Sequence, residues 1–327
     1  MISSPSPWIP TLTLLLLSLP IIFFFTSHIL PPPPPPILSL PDELDDLTLF
    51  RRAAAVDSHP THKPISRLGS TNRKPKIAFL FLTNTPLHFA PLWERFFNPN
   101  NSVQIKNLYN VYVHSDPTVK PYVKPPGGVF SQDRFIPAKQ TFRGTATLIA
   151  AARRLIAAAI IDDPDNMFFT LVSQHCIPLY SFQFVYTARG NNVMTPEVKF
   201  ENFRVGSQFF TLTRRHGLMV VKERRLWKKF RLPCLRPQSC YPEEHYFPTF
   251  LSNVDPDGCA GYTLTRVNWT DSVNGHPHTY YPSELSPELI FNLRRSSFAL
   301  PYMFARKFSP DCLKPLMEMA DEVIFRD

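Results

Sequence analysis

The stretch CYPEEHYFPT, residues 240–249, places two carboxylates between a proline and a run of aromatic residues. Glu243 and Glu244 are followed by His245, Tyr246 and Phe247, and Pro248 closes the run before Thr249. A solvated turn accounts for the acids and not for the aromatics. A core strand accounts for the aromatics and not for the acids. A carboxylate that accepts a proton inside a shaped pocket calls for both, since the acid does the chemistry and the rings limit water entry. A second chemical grouping is FARKF, residues 304–308, in which Arg306 and Lys307 are flanked by Phe304 and Phe308. Adjacent fixed cations at the edge of packed structure can neutralise a diphosphate without a metal ion.

Other chemistries have little support. The chain has no GxGxxG, no GxxxxGK[ST] and no GxSxG, which argues against dinucleotide binding, P-loop chemistry and the α/β-hydrolase nucleophile. Asp163-Pro164-Asp165 and Asp255-Pro256-Asp257 have the letters of a metal-binding Asp-x-Asp pair. The first falls between a helical and a strand pattern and the second precedes Gly258, so both read as turns. No cysteine pair has CxxC or zinc spacing, and no metal site is expected. The basic run at 222–231 reads as a solvated face.

The elements that must position these residues follow an alternating pattern from Lys76 onward. KIAFLFLT (76–83), NVYVHSD (110–116) and MFFTLVS (167–173) are short apolar runs suited to buried strands. LHFAPLWERFF (87–97) and TLIAAARRLIAAAI (147–160) carry helical spacing between them. Strand, helix, strand, helix, strand predicts an α/β domain with a mostly parallel central sheet. Ligands of such sheets bind at the carboxyl ends of the strands, here Thr83-Asn84, His114-Ser115-Asp116 and Ser173-Gln174-His175. The second half is less regular: 206–215 and 259–269 read as strands, 287–296 as a helix, 303–309 as short and mixed, and YPEEHYFPTFL as a segment preceding a helix.

Of 327 residues, 44% are hydrophobic, an ordinary share for a globular chain, and the net charge of +9 suits nucleic acid, a membrane surface or an anionic substrate such as a nucleotide sugar. Between Pro10 and Pro31 lies a mostly apolar stretch without Lys, Arg, Asp or Glu, long enough to span a bilayer as a helix. The expected organisation is a tail at 1–10, a retained transmembrane signal anchor at 11–30, a proline-rich and mostly irregular stem at 31–73, and a folded domain at 74–327. Sequons at Asn100 and Asn268 fit a lumenal, glycosylated domain, and with the anchor they disfavour nucleic acid as a partner. In an oxidising lumen Cys234 and Cys240 could pair with each other or with the remaining three, and the odd count of five leaves at least one unpaired within the chain.

Several stretches taken together are recognisable: KIAFLFLTNTPL, YNVYVHSDP, TLIAAARRL, LVSQHCIPL, FRVGSQFFTLTRRH, CYPEEHYFPTFL, TLTRVNWT and YMFARKFSPDCL. In their order and spacing they resemble the core-2/I-branching N-acetylglucosaminyltransferase superfamily, glycosyltransferase family 14, and most closely its plant branch, over about residues 76–327. The resemblance implies a GT-A-like fold and an inverting, metal-independent glycosyltransferase without a cofactor. It implies a single-pass type II protein of the Golgi membrane with its catalytic domain in the lumen. The donor would be a UDP-sugar, with UDP-GlcNAc and UDP-GlcA as candidates, and the acceptor a glycan or glycoprotein. The family's general base falls on Glu244, with Glu243 as the preceding, supporting acid. Its diphosphate-binding pair falls on Arg306 and Lys307, and its donor-nucleotide contact on Asp116; Thr83, at the end of the first strand, is a further supporting candidate. Two departures stand out: Arg143-Gly144 replaces a usual Trp-Gly before the central helix, and Ser173-Gln174-His175 replaces the Gly-x-Asp of the animal signature. Two other readings stay open. One is a lumenal carbohydrate-binding or scaffold protein that kept the fold without turnover. The other is a membrane-anchored glycoside hydrolase, which would need two carboxylates roughly 5–9.5 Å apart across a cleft.

Overall fold

A computed structural model of the chain describes residues 40–56, 74–99, 103–118, 126–187, 206–232, 240–273 and 275–327. The expected anchor at 11–30, the proline run, Asn100 and Cys234 lie outside them. Among the described residues no helix is long and apolar enough to cross a membrane. The chain divides into Met1–Glu43 and Leu44–Asp327. Of the first unit only the opening residues of one helix are described, and both sheets belong to the second.

Three expected strands form, as β1 (Lys76–Thr83), β2 (Tyr109–Ser115) and β3 (Asn166–Ser173). A fourth, β5 (Thr211–Thr213), completes a sheet ordered β2-β1-β3-β5. β1 runs parallel to both neighbours and β5 is antiparallel to β3, so the sheet is mostly parallel, as expected, with one antiparallel edge strand. The unbroken apolar run of β1 follows from its central place, because a strand covered on both faces needs no polar alternation. Its side chains divide between two cores by the period of two. Ile77, Phe79 and Phe81 pack among Trp93, Phe96 and Phe97, whereas Ala78, Leu80 and Leu82 pack on the other face with Leu155, Ile156 and Ala159.

The longer helices are α1 (Leu40–Val56), α2 (Ala90–Phe97), α3 (Ala146–Asp162), α4 (Arg214–Lys222), α5 (Pro242–Leu251) and α6 (Pro287–Arg294). Thr145 caps α3, accepting from Thr147 N, and Thr213 caps α4, accepting from His216 N. That second cap explains why the strand expected over 206–215 is only three residues long: the hydroxyl of its last residue starts a helix. A second sheet, ordered β4-β7-β6, joins Ile177–Pro178, Phe304–Arg306 and Thr265–Val267. The first three residues of FARKF are therefore the middle strand of a small sheet, set antiparallel to β4 and parallel to β6, and Lys307 follows directly.

Two differences from the sequence reading concern helices. PEEHYFPTFL does not precede a helix; it is one, α5. The stretch expected to be irregular stem contains α1, and from Leu44 onward this helix belongs to the folded unit. Phe50 and Ala53 are buried, and Asp46 accepts from Arg154 Nε and Nη2 at 2.6 and 2.7 Å. The neighbouring Arg153 is fully buried, donates to the Glu223 carbonyl at 2.5 Å, and lies over the rings of Phe50, Trp227 and Tyr246 at 4.7, 5.0 and 5.9 Å. Aromatic faces attract a guanidinium, so this arginine ties α1 to α3 and α5. Cys176 and Cys312 are free, and Cys240 is disulfide-bonded.

The packing of α1 has a measurable consequence. Asp46→Ala leaves the buried Arg154 guanidinium without its carboxylate, and a broken buried pair costs about 3 kcal/mol. A lower midpoint in chemical denaturation is expected, with Asp45→Ala as the exposed neighbour that changes little. An unchanged midpoint for Asp46→Ala would place α1 outside the cooperative fold.

Candidate active site

The short sequence of α5 explains how Glu244 is held. Pro242 starts the helix, where its missing N–H has no partner to lose. Four residues after Glu244, Pro248 again lacks an N–H, so the Glu244 carbonyl loses its intrahelical donor. Gly206 N donates to that carbonyl instead, at 2.9 Å. A Cβ on residue 206 would lie 3.0 Å from the Pro248 ring, so only glycine approaches this closely without strain. Tyr246, Phe247, Phe250 and Leu251 turn into the core shared with α3, which fixes the opposite edge of the helix. The acids thus occupy the first turn, where the helix dipole favours negative charge. Tyr241, just before the helix, has φ of 39°, an uncommon left-handed conformation for an aromatic residue.

The two acids have different surroundings. Glu243 is 3% exposed; its Oε1 accepts from Gly144 N at 3.0 Å and its Oε2 is sealed from solvent without a partner. Burial pushes its carboxyl above the ordinary range. Glu244 is half-buried. Burial raises its pKa too, while the positive charges of His245, Arg306 and Arg143 pull the other way. The net effect leaves the pKa raised, and a carboxylate of higher pKa is the stronger proton acceptor.

Arg306 and Lys307 lie on the same side as Glu244, which acts on the charge of Arg306. β7 brings them there through its pairing with β4 and β6. Arg306 retains some exposed surface, but its Nε is sealed from solvent with no hydrogen-bond partner. Its guanidinium lies 4.2 Å from the centre of the Phe209 ring. Burial lowers the pKa of both cations, and each is lowered further by like charges, Arg143 among them. Among the described residues neither joins a salt bridge. Half-buried cations without carboxylates are a ready site for an anion.

His175 stands beside them, its Nδ1 3.3 Å from the Phe308 carbonyl. Burial, Lys307 and Arg306 push its pKa down to about 4, so at neutral pH it is an uncharged imidazole. His175 therefore brings no negative charge to the cation pair.

Asp116 is buried and fully engaged. Oδ1 accepts from Thr118 N and Oγ1, at 2.9 and 2.6 Å, and Oδ2 from Thr141 N and Oγ1, both at 2.8 Å. Burial opposes ionisation, but these four donors outweigh it and hold the pKa below the usual carboxylate value. A carboxylate has about four acceptor positions, so Asp116 is a strut between β2 and the loop before α3. Thr83 is buried, its hydroxyl donating to the Thr85 carbonyl at 2.5 Å and its carbonyl accepting from Asp116 N at 2.9 Å, so it braces the strand ends. Both Asp-Pro-Asp segments are occupied as turns. Asp163 accepts from Lys76 Nζ, Asn110 Nδ2 and Asp165 N, and Asp255 pairs with Arg215 and His216. Asn268 lies in the second sheet region, half-buried, its Oδ1 accepting from Thr270 N at 2.9 Å.

Sequence reasoning missed Phe209, His276 and the part played by Arg143. Phe209 gave no signal apart from an apolar run; Arg143 was visible only as a departure from the family pattern. Behind Phe209 runs a mostly apolar cavity of about 510 Å³, whose walls include Phe210, Phe247, Tyr262, Phe298 and Tyr302.

Comparisons with known proteins identify the family. The family model of the Core-2/I-branching enzyme matches residues 77–192 and 186–294, and the chain belongs to that family. Asp116, Arg143, Glu243 and Glu244 fall inside the matched segments, whereas Arg306 and Lys307 follow them. Among individual proteins, the chain is similar to Glycosyltransferase BC10 of Oryza sativa subsp. japonica, at 27% identity over 266 residues. The match covers 67% of this chain and 65% of that relative's length.

Glu243→Gln keeps an oxygen for Gly144 N and removes the buried charge. Because the folded-state pKa of Glu243 is raised, its ionisation disfavours folding, so wild-type stability falls as pH rises through that pKa. The variant should gain melting temperature relative to wild type near neutral pH, and the gain should vanish below the ordinary glutamate pKa of about 4.3. A pH series of thermal melts checks this; a constant difference across the series contradicts it.

Proposed function

We propose that the protein is an inverting, metal-independent glycosyltransferase of GT-A-like fold that moves a sugar from a UDP-sugar to a glycan or glycoprotein. The observation that carries this reading is Glu244 in the first turn of α5, facing half-buried cations that have no carboxylate partner among the described residues. UDP-GlcNAc and UDP-GlcA are the donors to test first. In this reading the protein is a single-pass type II Golgi membrane protein, anchored by residues 11–30, with a stem at 31–73 and the catalytic domain at 74–327 in the lumen. Asn100 and Asn268 would then be glycosylation sites, and no nucleic acid is involved.

The reaction is a single displacement. An acceptor hydroxyl gives its proton to the Glu244 carboxylate as its oxygen bonds to the anomeric carbon. The bond from that carbon to the diphosphate oxygen breaks on the opposite face, and the electron pair leaves with UDP. Arg306 and Lys307 meet the charge that develops there. Their fixed charges take the place of a metal ion, while the first acid of each Asp-Pro-Asp turn, Asp163 and Asp255, is spent on structural contacts. Glu243 and Asp116 act by positioning, through Gly144 and Thr141 respectively.

Glu244→Gln should lower turnover roughly 10²–10⁴-fold, the usual worth of general base catalysis, with UDP affinity little changed. Lys307→Ala should instead weaken UDP binding, and wild-type activity should persist in EDTA. Initial rates with a panel of UDP-sugars, together with calorimetric UDP binding, test these together. Near-normal turnover of Glu244→Gln removes the assigned base. UDP binding without turnover on any donor favours a non-catalytic carbohydrate-binding protein. Activity lost in EDTA and restored by manganese overturns metal independence.

A further inference from the structure

Arg143 is exposed, yet it is held more firmly than an exposed arginine usually is. Its backbone is fixed on both sides: Thr141 is bonded to Asp116, and Gly144, at φ of 68°, donates to Glu243. Its side chain is fixed as well. Nη2 donates to the Gly275 carbonyl at 2.7 Å, and Nη1 lies 2.6 Å from His276 Nε2. The guanidinium stands 5.5 Å from the centre of the Tyr241 ring. Gly275 makes this contact possible. Its φ is 70°, and a Cβ there would sit 2.5 Å from Tyr241 Oη, so any side chain at 275 would push the turn away from the arginine.

Two of the five guanidinium N–H groups are used in this tether, and three remain. The charge so fixed belongs to the same cluster as Glu244, Arg306 and Lys307, and it acts on each of them. Among the described residues Arg143 has no salt bridge. Three cations gathered about one carboxylate repel one another, an arrangement that becomes favourable when an anion enters.

On the basis of the donor site proposed for Arg306 and Lys307, we infer that Arg143 is a third diphosphate-binding residue, the rim-side cation of a cup whose floor is that pair. The charge of the reaction suits three cations better than two. A sugar diphosphate carries two negative charges, and the UDP that leaves carries a third. A cation that meets the third charge stabilises the transition state and the product more than the bound donor. His276, as a neutral acceptor to Nη1, and the Gly275 carbonyl are its positioning groups.

The test is calorimetric binding of UDP and of uridine to the full chain in wild-type, Arg143→Gln, Arg143→Lys and Lys307→Ala forms, each checked by thermal melt. Loss of one charge-assisted contact lowers affinity about tenfold or more. Arg143→Gln should show that loss for UDP and none for uridine, which has no phosphate. Arg143→Lys should recover part of it, since the charge returns without the forked tether. If Arg143→Gln keeps wild-type UDP affinity while Lys307→Ala loses it, the inference falls and the donor site stands. If neither matters, the donor site itself is misplaced. Equal losses for UDP and uridine, or a melt lowered in both Arg143 variants with no selective UDP effect, would make Arg143 a latch between loops and overturn the inference.

Discussion

A guanidinium whose Nε is sealed from water without a hydrogen-bond partner is a cost that the fold must meet elsewhere. Arg306 meets it in three ways: the face of Phe209, the negative charge of Glu244, and a setting in the middle strand of a sheet that leaves it no freedom to escape. Among the described residues no carboxylate comes within ion-pair distance of it. The position next to the cations is His175, an uncharged imidazole at neutral pH. The acids that do stand near are Glu243, which is bonded to Gly144, and Glu244, which is open to the site. The molecule thus carries a localised excess of positive charge beside one available base, and that is the physical content of a site for an anionic leaving group.

Glu244 is equally a matter of backbone chemistry. A proline four residues downstream removes the donor to its carbonyl, and the chain at Gly206 supplies another. The same proline that weakens the helix therefore docks the segment leading to Phe209, the ring beneath Arg306. Base and cation are connected through this one exchange of hydrogen bonds, which couples the position of the carboxylate to the position of the charge it faces.

The central strands were legible in the sequence because parallel strands covered on both faces must be continuously apolar, and α2 and α3 because their helical spacing was long enough to read. β5 and β6 form inside the stretches 206–215 and 259–269 that read as strands, but span only three residues each, and β7, equally short, lies in a stretch with no clear period. α5 was missed as a helix because Pro242 and Pro248 read as boundaries; one starts the helix and the other sits inside it. α1 was hidden by the polyproline run before it and the polar run after it, and what makes it part of the fold is its contact with Arg153 and Arg154, about a hundred residues away. The acids and the cation pair could be picked out by residue type and by resemblance. Arg143 could not be read as part of their cluster, since its neighbours Gly275 and His276 are distant in sequence and brought close only by the fold.

The small sheet also sets a timetable. β4 leaves the ribosome with Ile177, but its partner β7 does not exist until Phe304 through Arg306 have been made. At about 5–20 residues per second, translation takes roughly 6–25 s to cover that gap. Through that interval β4 waits without its partner strand, and Glu244, once made, has no cation opposite it. The cations are thus among the later parts of the molecule to be made, and a nascent chain halted before β7 would present a bare strand edge, a substrate for chaperones.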